Sequence, residues 1–310
     1  MSGQPFPVNP VLTGILMAYQ NGEYIADQVL PRMNPRLATS KFSWWKFDFS
    51  QQISIPDTKV GRKSEPGTVE FQATEVQDVT NDYGLDDIVP NDDISNAPPG
   101  YDPEAVAAER TYDLVQLDRE KRVADTVFAA ATYPAGNKEV LAGASKWNNA
   151  ASTPITAVAA AKDSMVMQPN VMVIGRTGFT ALRTNPQILR AINPSGIGDG
   201  MASKRAIADL LEFDDIVVGT SWLNSAKPGQ APQRIRLWGS HCALLRLDRL
   251  AGSDGKRATF GWTAQFGTPV SGSIPEPKMG LRGSQRVRAG ESLKEVIAAP
   301  DLGYFFQDVA

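Results

Sequence analysis

Residues 102–133 read DPEAVAAERTYDLVQLDREKRVADTVFAAATY, the clearest helix in the chain. Asp102 offers a capping carboxylate, Pro103 suits the first turn, and Glu104 and Glu109 favour the positive end of the helix dipole. Val106, Leu114, Leu117, Ala124, Val127 and Phe128 recur near one face, and Asp118 with Arg122 makes an i,i+4 pair in the favourable order. The opposite face is dense in charge: Arg110, Asp113, Arg119, Glu120 and Lys121. At roughly 30 residues the helix would run about 45 Å, long for a globular protein and suited to the spine of a flat molecule.

Toward the N-terminus, Lys41 to Val79 reads as a long hairpin. Its outgoing limb is aromatic, with Phe42 and Trp44 on one parity and Trp45, Phe47 and Phe49 on the other, which predicts a bulge that swaps faces. The return limb Thr68–Thr74 alternates cleanly, Val69, Phe71 and Ala73 against Glu70, Gln72 and Thr74. Between them Pro56–Gly67 holds Asp57, Lys59, Arg62, Lys63 and Glu65, a charged tip long enough to suggest a function. Residues 1–40 are broken by Pro5, Pro7, Pro10, Pro31 and Pro35 and read as an arm lying across something else. The acidic stretch 78–99, with Asp82, Asp86, Asp87, Asp92 and Asp93, lacks the spacing of a calcium loop and reads as solvated loop.

Toward the C-terminus, a linker over 134–153 precedes a run of alternating strands and helices. Ile155–Met165, Phe179–Leu182, Pro186–Ile192 and Ala206–Phe213 read as helices; Val171–Ile174, Ile216–Val218, Ile235–Trp238 and His241–Leu247 read as strands. This run, 150–254, reads as its own lobe. Strands return at Phe260–Phe266, Gln285–Arg288, Glu295–Ala298 and Tyr304–Val309, so the lobe is expected to be inserted between two parts of another. The class is α+β.

Composition narrows the function. The chain has 310 residues, a formal charge of −3, 42% hydrophobic residues, one histidine and one cysteine. It is globular in character. One cysteine, Cys242, allows no internal disulfide framework, and with His241 alone beside it no Cys/His zinc site. The near-neutral charge argues against a protein built to grip nucleic acid. Neither a signal peptide nor a membrane span is legible, so a soluble chain that stays where it is made is expected.

Three stretches invite chemistry. Val171–Ile174 followed by Gly175-Arg176-Thr177-Gly178 and a helix resembles a phosphate cradle, yet it lacks both the G-K-[ST] ending and a third glycine. Gly196, Gly198, Asp199 and Gly200 lie in the loop 193–203, which reads as a mobile interaction loop. His241 and Cys242 are neighbours on a strand and so face opposite ways. No catalytic residue, metal site or cofactor is expected.

Several short stretches share an order. They are Thr13-Gly14-Ile15-Leu16-Met17-Ala18-Tyr19, Tyr24-Ile25-Ala26-Asp27-Gln28-Val29-Leu30-Pro31, Asp102-Pro103-Glu104, Leu117-Asp118-Arg119-Glu120, Lys146-Trp147-Asn148, Ser152-Thr153-Pro154-Ile155, Pro169-Asn170-Val171-Met172-Val173-Ile174-Gly175, Asn185-Pro186 and Leu237-Trp238-Gly239. In this order and spacing, over about residues 10 to 270, the chain resembles the major capsid proteins of tailed bacteriophages, the lambda-like branch.

The resemblance implies the capsid fold shared by tailed phages and herpesvirus shell floors. It implies an N-terminal arm over 1–40, an extended loop over 41–78 and a peripheral domain over 79–149 with its spine at 102–133. An axial domain would follow over 150–254, with 255–310 returning to the peripheral domain. Phe42, Trp44, Trp45, Phe47, Phe49, Arg62 and Lys63 of the loop would then contact another subunit. So would Arg110, Asp113, Arg119 and Glu120 of the spine, while Gly196, Gly198, Asp199 and Gly200 would lie near a hexamer or pentamer axis. The partners implied are copies of the chain itself, a separate scaffolding protein, a portal protein and in some relatives a decoration protein, around double-stranded DNA held without sequence recognition. The place implied is the virion capsid, assembled in the host bacterial cytoplasm. The alternative with the same geometry is an encapsulin-like compartment around a cargo enzyme.

Overall fold

The computed structural model describes residues 7–19, 21–46, 55–68, 74–193, 200–227 and 229–310. Its axis is the helix Pro103–Val127, which starts where the cap was expected: Asp102 Oδ1 accepts from the backbone N–H of Glu104 (3.0 Å) and Ala105 (3.3 Å). It is shorter than expected, about 37 Å at 1.5 Å per residue. Side chains end it by taking its last carbonyls: Thr132 Oγ1 donates to Thr126 O and Tyr133 OH to Val127 O, both at 2.7 Å. The buried face also differs. It runs Ala108, Tyr112, Val115, Arg119, Val123 and Val127, and Leu114 is left 54% exposed. Of the expected face, Ala124 and Val127 are buried and Val106, Leu117 and Phe128 half-buried, so the apolar spacing located part of the buried stripe and missed Tyr112, Val115, Arg119 and Val123.

Against the helix lies a three-stranded antiparallel sheet. Two long strands, Gly261–Glu276 and Ser284–Ile297, form a hairpin whose register shifts between Phe266 and Val270. The third strand, Asn81–Pro90, pairs with Ser284–Leu293. It corrects the expectation of a solvated loop. Only Val89 of this strand is buried, so no hydrophobic alternation was there to read. Its order comes from the partner strand: Arg288 grips both oxygens of Asp86 (2.6 and 2.7 Å), and Arg286 reaches Asp86 at 3.4 Å.

The second sheet has five strands, in the order Lys138–Val140, Gly303–Gln307, Cys242–Leu245, Val171–Gly175, Asp215–Gly219. The strand Gly303–Gln307, expected with the outer returning strands, sits inside this sheet between Lys138–Val140 and Cys242–Leu245. Apart from the exposed edge strand Lys138–Val140, both faces are buried, as near-continuous apolar strands require. Met172, Ile174, Cys242, Leu244 and Phe306 face a core shared with Val158, Leu182, Ile188 and Ile207 of the lobe's helices. Val173, Val217, Ala243, Leu245 and Phe305 face the other way, onto Val123, Val127, Trp238 and Phe260. Period-two alternation thus ties the lobe to the spine across one sheet.

Candidate assembly surfaces

The clamp that holds the N-terminal arm sets where every surface lies. Ile25 and Ala26 N–H donate to the Glu120 carboxylate (3.0 and 2.7 Å), as do Trp238 Nε1 (2.6 Å) and Ser221 Oγ (3.4 Å). Next to it the Arg119 guanidinium meets Asp27 at 2.8 Å and donates to Leu30 O and Thr263 Oγ1. Arg32 bridges Glu291 (2.6 Å) and Asp27 (2.9 Å), and Tyr112 OH donates to Glu291. Arm, spine, long hairpin and lobe all meet here.

The electrostatics follow from burial. Burial pushes the Glu120 carboxyl above its usual value, and the Ile25, Trp238 and Ala26 donors and nearby Arg119 offset part of that. Burial also acts on Asp27, but Arg119 and Arg32 outweigh it and hold that carboxyl below its usual value. Breaking such a network is costly even where its net contribution is small, because what remains is buried and unpaired.

This placement corrects the reading of the spine's charged face. Arg119 and Glu120 are 1% and 0% exposed and bind their own chain. Asp113 is half-buried and accepts from Tyr19 OH (2.8 Å) and Asn21 Nδ2 (3.0 Å) of the arm. Arg110 alone of the four stays exposed. A charged residue marks a solvated face only where no arm lies over it, and the sequence of the helix does not say where the arm lies.

The extended loop divides likewise. Its described limbs, Lys41–Lys46 and Thr74–Val79, pair antiparallel. Trp44 is buried with Met33, Trp262, Ala264 and Val296, and Phe42 packs on Trp262 with ring centroids 6.0 Å apart. Those two anchor the base of the loop to its own chain. Trp45 faces the other way and is 39% exposed. Every residue from 55 to 68 is exposed, including Arg62, Lys63 and the apolar Ile55 and Val60. Phe47, Phe49 and the return limb 69–73 lie outside the described residues, as do Gly196, Gly198 and Asp199; Gly200 is exposed next to exposed Met201.

The phosphate-cradle reading fails on packing. A Cβ at Gly175 would lie 2.1 Å from Gly239 O, and Thr177 Oγ1 already donates to that oxygen at 3.0 Å. The glycine lets two backbones touch, leaving no room for a ligand. Cys242 is buried and its thiol pushed up by burial, while His241 Nδ1 accepts from the Asp308 N–H on the other face. Among the described residues no three His, Cys, Asp or Glu side chains are grouped to hold a metal ion, and no helix is long and apolar enough to cross a membrane.

Two surfaces escaped the sequence. The turn of the long hairpin, residues 277–283, presents Leu281 fully exposed. Nearby, a groove of about 410 Å³ runs between the acidic strand and the start of the spine. A leucine between a glycine and an arginine carries no signal of its exposure, and the groove depends on a strand that read as loop.

Comparison with known proteins places these surfaces in context. A family model described as phage major capsid protein E matches residues 115–219. The chain is 47% identical over 308 residues to the major capsid protein of Pseudomonas phage JBD67, covering 99% of both. Among solved structures, a phage-related protein from Bordetella bronchiseptica RB50 superposes with a TM-score of 0.74 at 19% identity, covering 99% of both chains. The mature capsid of bacteriophage PhiM1 gives a TM-score of 0.53 at 9% identity, over 87% of this chain and 82% of that one.

Proposed function

The chain belongs to the phage major capsid proteins, and from that premise we propose that it assembles as hexamers and pentamers into an icosahedral shell around double-stranded DNA. It acts by association, not by turnover. The observation that carries this reading is the extended loop, whose tip from 55 to 68 is exposed throughout. Trp44 and Phe42 fix the loop's base, while Trp45, Ile55, Val60, Arg62 and Lys63 are left for a neighbouring subunit. Obligate interfaces bury roughly 2,000–5,000 Å², and one subunit touching several neighbours sums modest contacts into a stable wall. The charge at the tip sets register and partner choice more than affinity.

In this reading residues 1–40 are the arm, 41–78 the extended loop, and 150–254 the axial lobe, with Gly196, Gly198, Asp199 and Gly200 near the symmetry axis. Arg110, the exposed one of the four, remains the spine's candidate for contact between subunits. A separate scaffolding protein and a portal are the partners, and assembly takes place in the host cytoplasm. The full-length match to a phage capsid protein weighs against the cargo-compartment alternative. Arg62→Glu with Lys63→Glu tests the reading. Particle yield should fall by about tenfold or more with the monomer's melt unchanged; normal particles from this variant would refute the tip's role.

A further inference from the structure

The strand Asp215–Gly219 runs out of the lobe's sheet into a two-stranded hairpin, Trp222–Asn224 against Arg234–Arg236. Its base is tied to the joint of arm and spine: Thr220 Oγ1 donates to Glu23 Oε2 (2.6 Å), and Ser221 Oγ to Glu120 (3.4 Å). Beyond the base, no described residue from 222 to 235 is buried. The turn is ordered all the same. Asn224 Oδ1 accepts from the N–H groups of Ala226 (3.2 Å) and Gln233 (3.0 Å), and Gly229, at φ +85°, supplies the left-handed backbone. A lone two-stranded hairpin adds little to stability, which leaves contact as the reason for its residues.

Its chemistry is one-sided. From Ile216 to Leu247 the chain has no aspartate or glutamate, while Lys227, Arg234, Arg236 and Arg246 fall within that run. Trp222 lies opposite Arg236 and Asn224 opposite Arg234, so all four share one face. The Arg236 guanidinium lies over the Trp222 ring, 3.8 Å from its centroid, and donates to Thr220 O. The stack holds that charge flat on the hairpin, with Trp222 itself 51% exposed. Lys227 and Arg234 are exposed, and neither has an ion-pair partner among the described residues. The carboxylates nearby, Glu23 and Glu120, are taken up at the base.

We propose that this hairpin lies on the inner wall of the shell and touches the phosphate backbone of the enclosed duplex through Lys227, Arg234 and Arg236. The proposal rests on the shell-subunit reading and gives it a site of DNA contact. No base is read, since lysine and arginine on phosphate position a duplex without specifying its sequence. A chain of charge −3 is not built to grip DNA, and here it need not. About three phosphates per copy make a weak contact that salt loosens, and many copies repeat it over the outermost layer of DNA. The contacts order that layer in sum, while each singly lets DNA enter and leave.

The test titrates the full-length dissociated chain with a short, labelled, mixed-sequence DNA duplex and reads anisotropy. For three phosphates the binding constant should fall about 40-fold between about 50 and 200 mM salt. Lys227→Ala with Arg234→Ala should flatten that fall to about fourfold with the melt unchanged, because both side chains are exposed. Arg205→Ala with Arg249→Ala, two exposed arginines elsewhere on the chain, should leave the fall as in wild type. Arg234→Cys then places the hairpin. A bulky maleimide should label it in the dissociated chain and not in intact particles, and Cys242, fully buried, gives no background. Wild type that binds no duplex, a hairpin variant that keeps the wild-type salt dependence, or a control variant that loses as much would each overturn the inference and leave the capsid reading standing. Labelling of intact particles would do the same, and would turn the hairpin toward a partner outside the shell. Wild type that forms no particles in any preparation would overturn both.

Discussion

Glu120→Ala probes the joint between arm, spine and lobe. The substitution strips an acceptor from three buried donors, the N–H groups of Ile25 and Ala26 and the indole N–H of Trp238, all within 3.0 Å. Each orphaned donor costs about 1–3 kcal/mol. Part of that is returned, because burial already disfavours the charged carboxylate. A net loss of about 3 kcal/mol remains, a large share of the 5–15 kcal/mol that holds a domain. In a chain of this size that lowers the melting temperature by about 6 °C. Urea titration of the dissociated chain measures it.

The pH dependence gives an independent sign. The folded carboxyl sits above its ordinary value of 4.5, so the folded state binds this proton more tightly than the unfolded one. The group's contribution is fully present below the unfolded value and is lost as pH rises through the folded one. Glu120→Ala should remove that decline. A change under about 1 kcal/mol, or a variant that keeps the wild-type slope, would refute the placement of Glu120 at the joint.

Three further outcomes follow from packing. Trp44→Ala should destabilise the chain by about 3–5 kcal/mol, because Trp44 is 8% exposed in its own core; equilibrium unfolding decides it. Trp45→Ala, by contrast, should cost about 1 kcal/mol and lower particle yield, read by sedimentation of the assembled fraction. Gly219→Ala should cost about 3 kcal/mol, since its Cβ would lie 2.2 Å from the ring of buried Trp238. A melt for that variant within 1–2 °C of wild type would show that the indole can shift.

The elements that were legible carried their order in local pattern. Asp102, Pro103 and the residues after them announced the spine, and the apolar run Val171–Ile174 announced a strand buried on both faces. The strand Asn81–Pro90 was illegible because its order is borrowed: Asp86 is paired by Arg286 and Arg288, about two hundred positions away along the chain. The spine's faces were misread for the same reason. Arg119 and Glu120 look like surface charge until Ile25, Ala26 and Asp27 are laid over them. Trp44 and Trp45 are adjacent in sequence and of opposite parity, yet both read as contacts to another subunit; one is core and the other surface.

Sedimentation velocity with negative-stain microscopy of the full-length chain, expressed alone and with its neighbouring genes, tests the central claim most directly. The account predicts closed shells of uniform size built from hexameric and pentameric rings. A strictly monomeric species in both preparations would contradict it.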